Sequence, residues 1–234
     1  MVTGLIGGTG YASTVYYYEK LNRAIARHHN DVSHQDLLLY SLDFTRFTAL
    51  AAQQRWDRIK QWLTDSAKRL ETAGADRLAL LAVTLHFAEN AIVDATDLPV
   101  ISITDSIAKG AKARRMKKIL LLGTLYTMEF DFIKKRLDEQ GLVVEIPAKS
   151  ERLLLHRYIY DSLAHGKIRS KGQQMLQRIA DKYARDVDGI ILGCTELPEA
   201  FQSLEVKKPV VSSTDLHIND ILSQAGITDA SISD

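Results

Sequence analysis

Asp188-Gly-Ile-Ile-Leu-Gly-Cys-Thr-Glu-Leu-Pro198 joins a short apolar run to a Gly-Cys-Thr-Glu turn that opens a helix. Four residues from Gly189 to Leu192 are too few for a helix and read as a buried strand. A strand feeding a helix is the building unit of a parallel α/β sheet, whose ligand sites lie beyond the carboxyl ends of the strands. Cys194, the single cysteine of the chain, falls at that end. A thiol there meets the backbone N–H groups of a starting helix, a local positive potential that is expected to favour thiolate. Upstream, Arg77-Leu-Ala-Leu-Leu-Ala-Val-Thr-Leu-His86 repeats the pattern, an apolar strand ending in Thr84 before a helix. The two ends are expected to face each other across a cleft, with Ala82 where a second thiol would stand.

Working outward, short apolar runs alternate with amphipathic segments. Strands are expected at 3–6, 36–40, 77–81, 100–103, 118–122, 142–145, 189–192 and 209–211. Helical periodicity is clearest over 13–28, 55–73, 106–114, 129–139 and 171–184. This alternation predicts parallel sheets flanked by helices. A repeat is visible within it. Leu5-Ile-Gly-Gly-Thr-Gly10 and Leu121-Leu-Gly-Thr-Leu-Tyr-Thr127 are each strand, Gly/Thr loop and helix, and each is followed 70-odd positions later by a strand ending at Thr84 or Thr195. Two related α/β lobes are expected, with a boundary between 100 and 116 and the site in the cleft between them. Four prolines and no Gly/Ser-rich stretch make that boundary a tight crossing rather than a tether.

The composition narrows the function classes. The 234 residues are 46% hydrophobic and 25% charged, ordinary values for a folded chain with a sizeable core. A net charge of +1 offers no general attraction to nucleic acid or to an anionic membrane. No apolar run reaches the roughly 18 residues of a membrane span, and Met1-Val-Thr-Gly-Leu-Ile-Gly-Gly lacks the features of a signal peptide. One cysteine forms no internal disulfide, so a cytoplasmic protein is expected.

Gly7-Gly-Thr-Gly10 fails the dinucleotide pattern G-x-G-x-x-G, since Ser13 stands at its third glycine. A glycine-rich turn opening a helix still presents bare N–H groups to an anion, so Gly8, Thr9 and Gly10 are candidate carboxylate ligands. Thr84, Thr124, Thr127 and Thr195 all fall at strand-to-helix junctions. Singly each reads as a helix N-cap, and together they read as a cradle for a small carboxylate. His28 and His29 point to different sides of a helix, and no cluster has metal-ligand spacing. The basic run Lys109–Lys118 closes a helix without interleaved aromatics and reads as a solvated face.

Taken in order, Gly7-Gly-Thr-Gly-Tyr-Ala-Ser-Thr14, Val83-Thr-Leu-His86, Gly123-Thr-Leu-Tyr-Thr-Met128 and Gly193-Cys-Thr-Glu-Leu197 resemble the cofactor-independent aspartate/glutamate racemases. Tyr17–Asn22, Ser41–Phe44 and Ile159–Gly166 extend the resemblance over nearly the whole chain. It implies two pseudosymmetric lobes, residues 1–100 plus 208–234 and residues 101–207, commonly in a homodimer needing neither pyridoxal phosphate nor metal. It also implies two thiols flanking the substrate α-carbon, one removing a proton and the other supplying one. Cys194 takes the acid/base role, and Gly8, Thr9, Gly10, Val83, Thr84, Thr124, Thr127 and Thr195 are the expected substrate-binding positions.

The departures are specific. Ala82 replaces the first thiol, Val83 replaces a frequent asparagine, and Ala164 stands where some members carry a lysine. Alanine carries no proton, so Thr84, His86 and Glu196 become candidates for the missing acid/base work. Three functions are compatible with one thiol. The first is a racemase of an acidic amino acid that relies on Cys194. The second is a decarboxylase-type enzyme in which Cys194 only protonates a carbanion. The third is a carboxylate-binding protein that has lost turnover.

Overall fold

The computed structural model describes residues 1–32 and 34–227. Among these, eight strands form two four-stranded sheets, every pairing parallel. The chain divides into two compact units, Met1–Ile103 with the segment that begins at His217, and Thr104–Leu216.

In the first unit the elements run β1 (Thr3–Gly7), α1 (Tyr11–His29), β2 (Leu37–Ser41), α2 (Phe44–Ala52), α3 (Trp56–Thr72), β3 (Arg77–Leu80), a 3₁₀ segment Val83–Ala88, α4 (Glu89–Val93) and β4 (Val100–Ile101). The chain then passes through α5 (Ile103–Ala113) into β5 (Lys118–Leu122), α6 (Leu125–Glu129), α7 (Asp131–Asp138), β6 (Val143–Glu145) and α8 (Lys149–Asp161). A 3₁₀ turn at Leu163–His165 leads to α9 (Ser170–Tyr183), β7 (Gly189–Leu192), α10 (Leu197–Phe201), β8 (Val210–Ser212) and α11 (Ser213–Gln224).

The sheet orders are β2-β1-β3-β4 and β6-β5-β7-β8, the same connectivity used twice. The repeat read from the Gly/Thr loops is therefore a repeat of topology. In each sheet the inner strands are apolar along their length because helices cover both faces; β1, β3 and β7 are buried throughout. β2 is an edge strand and is half-exposed. Leu5, Tyr17, Leu21, Ala79, Ile101, Ile218 and Ile221 centre the first core. Leu120, Leu122, Leu155, Ile179, Ile190, Leu192 and Leu197 centre the second. Each such side chain contributes about 1.5–3 kcal/mol by leaving water.

All eight expected strands are present. The expected helix over 129–139 is present as α7 and starts two residues later, because Phe130 with its extended ψ of 121° separates it from the short α6. The C-terminal return begins later than residue 208. Val210–Ser212 pair with Ile190–Leu192, so β8 completes the second sheet, and the chain changes unit within α11 at residues 216–217. Backbone hydrogen bonds along β7 decide this placement, and they leave no trace in composition. No helix of the described residues is long and apolar enough to cross a membrane.

Candidate active site

Registers place the functional loops side by side within each unit. Ile6 lies opposite Leu80 and Leu122 opposite Leu192, so the turns after β1 and β3 start together, as do those after β5 and β7. Tight packing fixes both pairs. A Cβ on Gly193 would stand 2.8 Å from Thr127 Cγ2, and one on Gly123 would stand 2.9 Å from the same methyl. Thr127 is thus wedged between the two glycine turns, 2% exposed, with its Oγ1 3.2 Å from Thr124 Oγ1. Its methyl is the packing contact for both turns. Thr14 holds the equivalent place in the first unit, against Gly7, and its Oγ1 accepts from the Gly8 N–H at 2.8 Å.

In the second unit the Cys194 S–H donates to Glu196 Oε2 at 2.8 Å, and the Thr195 hydroxyl donates to the same oxygen at 2.9 Å. Cys194, Thr195 and Glu196 are all half-buried. Burial pushes the thiol well above its ordinary pKa, and the Glu196 charge and hydrogen bond push it further. The N–H groups of Glu196 and Thr195 pull the other way and are outweighed. The expected thiolate is therefore corrected to a thiol held by a carboxylate. Part of the reason is geometric: α10 begins at Leu197, three residues past the sulfur, and is only five residues long. Glu196 is the N-cap residue of that helix, but its side chain makes no capping hydrogen bond and turns back to Cys194.

Around this pair stand residues that the spacing argument did not select. Tyr160 packs against the same apolar cluster as Cys194. Its hydroxyl is pushed up to about 12, first by burial and then by Tyr126, Cys194 and Glu196. The His156 ring lies 4.6 Å from that of Tyr160 and 5.8 Å from that of Tyr126. The Leu125 N–H donates to His156 Nδ1 at 3.2 Å, so the neutral ring carries its proton on Nε2. Burial lowers the pKa of His156 and keeps it in that form. The signal that was available is the i, i+4 pair His156 and Tyr160 on one face of α8, one turn apart.

In the first unit, Gly8 and Gly10 adopt φ of 87° and 98°, values that glycine reaches without strain. A Cβ at Gly8 would meet the Leu42 backbone at 2.3 Å. Gly10 is the N-cap of the 19-residue α1, no side chain caps it, and its first turn has no acid. Thr9 and Gly10 are partly exposed there. Of its N–H groups, that of Gly8 is taken by Thr14 Oγ1.

The structure separates the remaining candidates. Ala82 is half-buried at the end of β3, and Thr84 is half-buried inside the 3₁₀ segment. The Val83 side chain is buried, 5% exposed. His86 is a structural histidine. The Ile103 N–H donates to its Nε2 at 3.1 Å, so its Nδ1–H donates to the Ala82 carbonyl at 3.0 Å, and both nitrogens are engaged. Thr124 is the N-cap its position suggests, accepting from the Thr127 N–H at 3.3 Å. Among the described residues no group of three His, Cys, Asp or Glu side chains is placed to hold a metal ion.

The chain thus has two parallel α/β units of identical strand order, and the second carries a thiol–carboxylate pair at the carboxyl end of its inner strands. The model of the Asp/Glu/Hydantoin racemase family matches residues 6–221, and the chain belongs to that family. It is 25% identical to a broad specificity amino-acid racemase, RacX, of Bacillus subtilis (strain 168), over 90% of this chain and 92% of that one. Among solved structures it is similar to an Asp/Glu racemase assigned to Yersinia pestis, with 33% identity, a TM-score of 0.86 and coverage of 93% and 95%. An aspartate racemase homologue from Pyrococcus horikoshii OT3 has 35% identity, a TM-score of 0.82 and coverage of 96% and 98%. Arylmalonate decarboxylase, 21% identical with a TM-score of 0.53, shares the fold.

Proposed function

We propose that this protein is a cofactor-independent amino-acid racemase in which Cys194 exchanges the substrate's α-proton. The observation that carries this is the Cys194 S–H hydrogen bond to Glu196, 2.8 Å long, at the carboxyl end of β7. Glu196 takes the thiol proton, and the sulfur then takes the α-proton. The electron pair left on the α-carbon is delocalised into the substrate carboxylate, which hydrogen-bond donors must stabilise. Return of a proton from sulfur regenerates the starting centre; delivery from the other side inverts it. The family resemblance puts Ala82 where the second thiol would stand, so inversion needs a proton donor other than a second cysteine. An acidic side chain is the substrate the family resemblance implies. Homodimeric assembly and a cytoplasmic location belong to the same reading, the latter supported by the lone cysteine.

A decarboxylase-type reaction is the second reading, favoured by one observation. A thiol with a raised pKa is already in the form that protonates a carbanion left by departing carbon dioxide. Incubation with L- and D-amino acids in deuterated water tests the first reading. α-Deuterium incorporation that disappears in Cys194→Ala, with the fold retained, supports it. No exchange with any amino acid overturns it, and conversion of an α,α-dicarboxylate to carbon dioxide and the α-protonated monocarboxylate instead establishes the second.

A further inference from the structure

Thr195 is an expected member of the carboxylate cradle, yet its hydroxyl is committed elsewhere. It donates to Glu196 Oε2 at 2.9 Å, the same oxygen that accepts the Cys194 S–H at 2.8 Å. An ionised carboxylate oxygen offers two lone pairs, so the thiol and the hydroxyl divide this one between them. Among the described residues no other group donates to Glu196. A glutamate side chain is long and gives up much rotamer freedom when fixed, and this one makes no capping bond to α10 that would hold it. Its aim at the sulfur therefore depends on the two bonds at Oε2.

The other titratable groups around the loop are Tyr160 and the neutral His156 of α8, and Tyr126 of α6. We infer that Thr195 is a positioning residue that clamps Glu196 Oε2 against the Cys194 sulfur through the proton-transfer cycle, rather than a ligand of the substrate carboxylate. Its kinetic consequence rests on the proposed racemase reading; the clamp itself is a property of the unliganded protein. In that cycle the thiol proton moves to Oε2 and leaves its electron pair on sulfur, and the thiolate then takes the substrate's α-proton. At that point sulfur and Oε2 each carry a proton, and the attraction between them is weakest. The Thr195 hydroxyl occupies the other lone pair of Oε2 throughout, so it keeps the carboxyl aimed at sulfur for the return step.

Two readouts on the full chain test it. Cys194 is the single cysteine, so the pH profile of iodoacetamide alkylation reports this thiol alone. Thr195→Val keeps the shape of the side chain and removes the hydroxyl. With the clamp gone the Glu196 charge turns away, the thiol ionises at lower pH, and alkylation at neutral pH should speed up at least about threefold. Thr195→Ser should restore the wild-type profile, and Thr195→Val added to Glu196→Gln should change nothing further. In α-deuterium exchange, Thr195→Val should lower kcat at least about tenfold with KM within about twofold of wild type. An unchanged or upward-shifted alkylation profile in the folded Thr195→Val protein, or a shift that persists beside Glu196→Gln, overturns the inference. So does a raised KM with kcat retained, the signature of a substrate ligand. Absence of exchange in the wild-type protein removes the racemase reading, and the alkylation profile alone then supports or overturns the clamp.

Discussion

His217 gives the sharpest quantitative test. It is fully buried in the first unit; its Nε2–H donates to the Ile101 carbonyl at 2.8 Å, and the Tyr17 hydroxyl donates to Nδ1 at 2.9 Å. A carbonyl only accepts, so the neutral ring carries its proton on Nε2 and accepts from Tyr17 at Nδ1. Burial lowers its pKa from 6.5 to about 4, against the weaker upward pull of the Ile101 hydrogen bond and Asp220. The unfolded chain therefore takes up the proton first. Stability from this group is intact above the unfolded value and is lost as pH falls toward the folded one. The shift corresponds to about 3 kcal/mol in full, of which about 2.5 kcal/mol is lost between about pH 7.5 and about pH 4.5. His217→Gln keeps a donor for Ile101 and an acceptor for Tyr17 but does not titrate. Urea unfolding of both proteins at the two pH values isolates the term, because the other titrating groups largely cancel in the difference. The variant is expected to be the less stable near neutrality and to lose about 2.5 kcal/mol less on acidification. Parallel pH curves for the two proteins would refute the assignment of a buried neutral ring.

Other outcomes follow from the second unit and from Ala82. Glu196→Gln removes the charge that raises the Cys194 thiol, so iodoacetamide alkylation at neutral pH should speed up while α-proton exchange slows; both rates moving together would contradict the thiol–carboxylate pair. Gly193→Ala drives a methyl against Thr127 Cγ2 and should cost about 1–3 kcal/mol in chemical denaturation, partly recovered by adding Thr127→Ser. An additive double mutant would show that the wedge is not the cause. Ala82→Cys should raise the ratio of inversion to exchange, measured by chiral chromatography beside mass spectrometry; an unchanged ratio in a folded protein would show that position 82 does not present a group to the α-carbon.

Apolar runs and their glycine-threonine ends were enough, read along the chain, to identify the eight strands, their parallel pairing and the doubled organisation, because buried parallel strands must be apolar on both faces. Gly8 and Gly10 were legible for the same kind of local reason, since only glycine takes those φ values cheaply. The ionisation of Cys194 was not. Local sequence places N–H groups near it, but burial and the returning Glu196 carboxylate outweigh them. His86 likewise reads as a candidate base until the Ile103 N–H and the Ala82 carbonyl occupy its two nitrogens. The Tyr126–His156–Tyr160 wall is assembled from α6 and α8, two helices without a strong periodic signal, and α8 keeps Leu153 and Leu154 exposed. Strand identity is set by neighbours within a few residues, and the sequence alone decided it. The proton affinity of the thiol depends on its burial and on which way the nearby Glu196 carboxylate turns, and the surrounding rings come from helices distant along the chain; only the tertiary structure, by excluding water and setting distances, decided them.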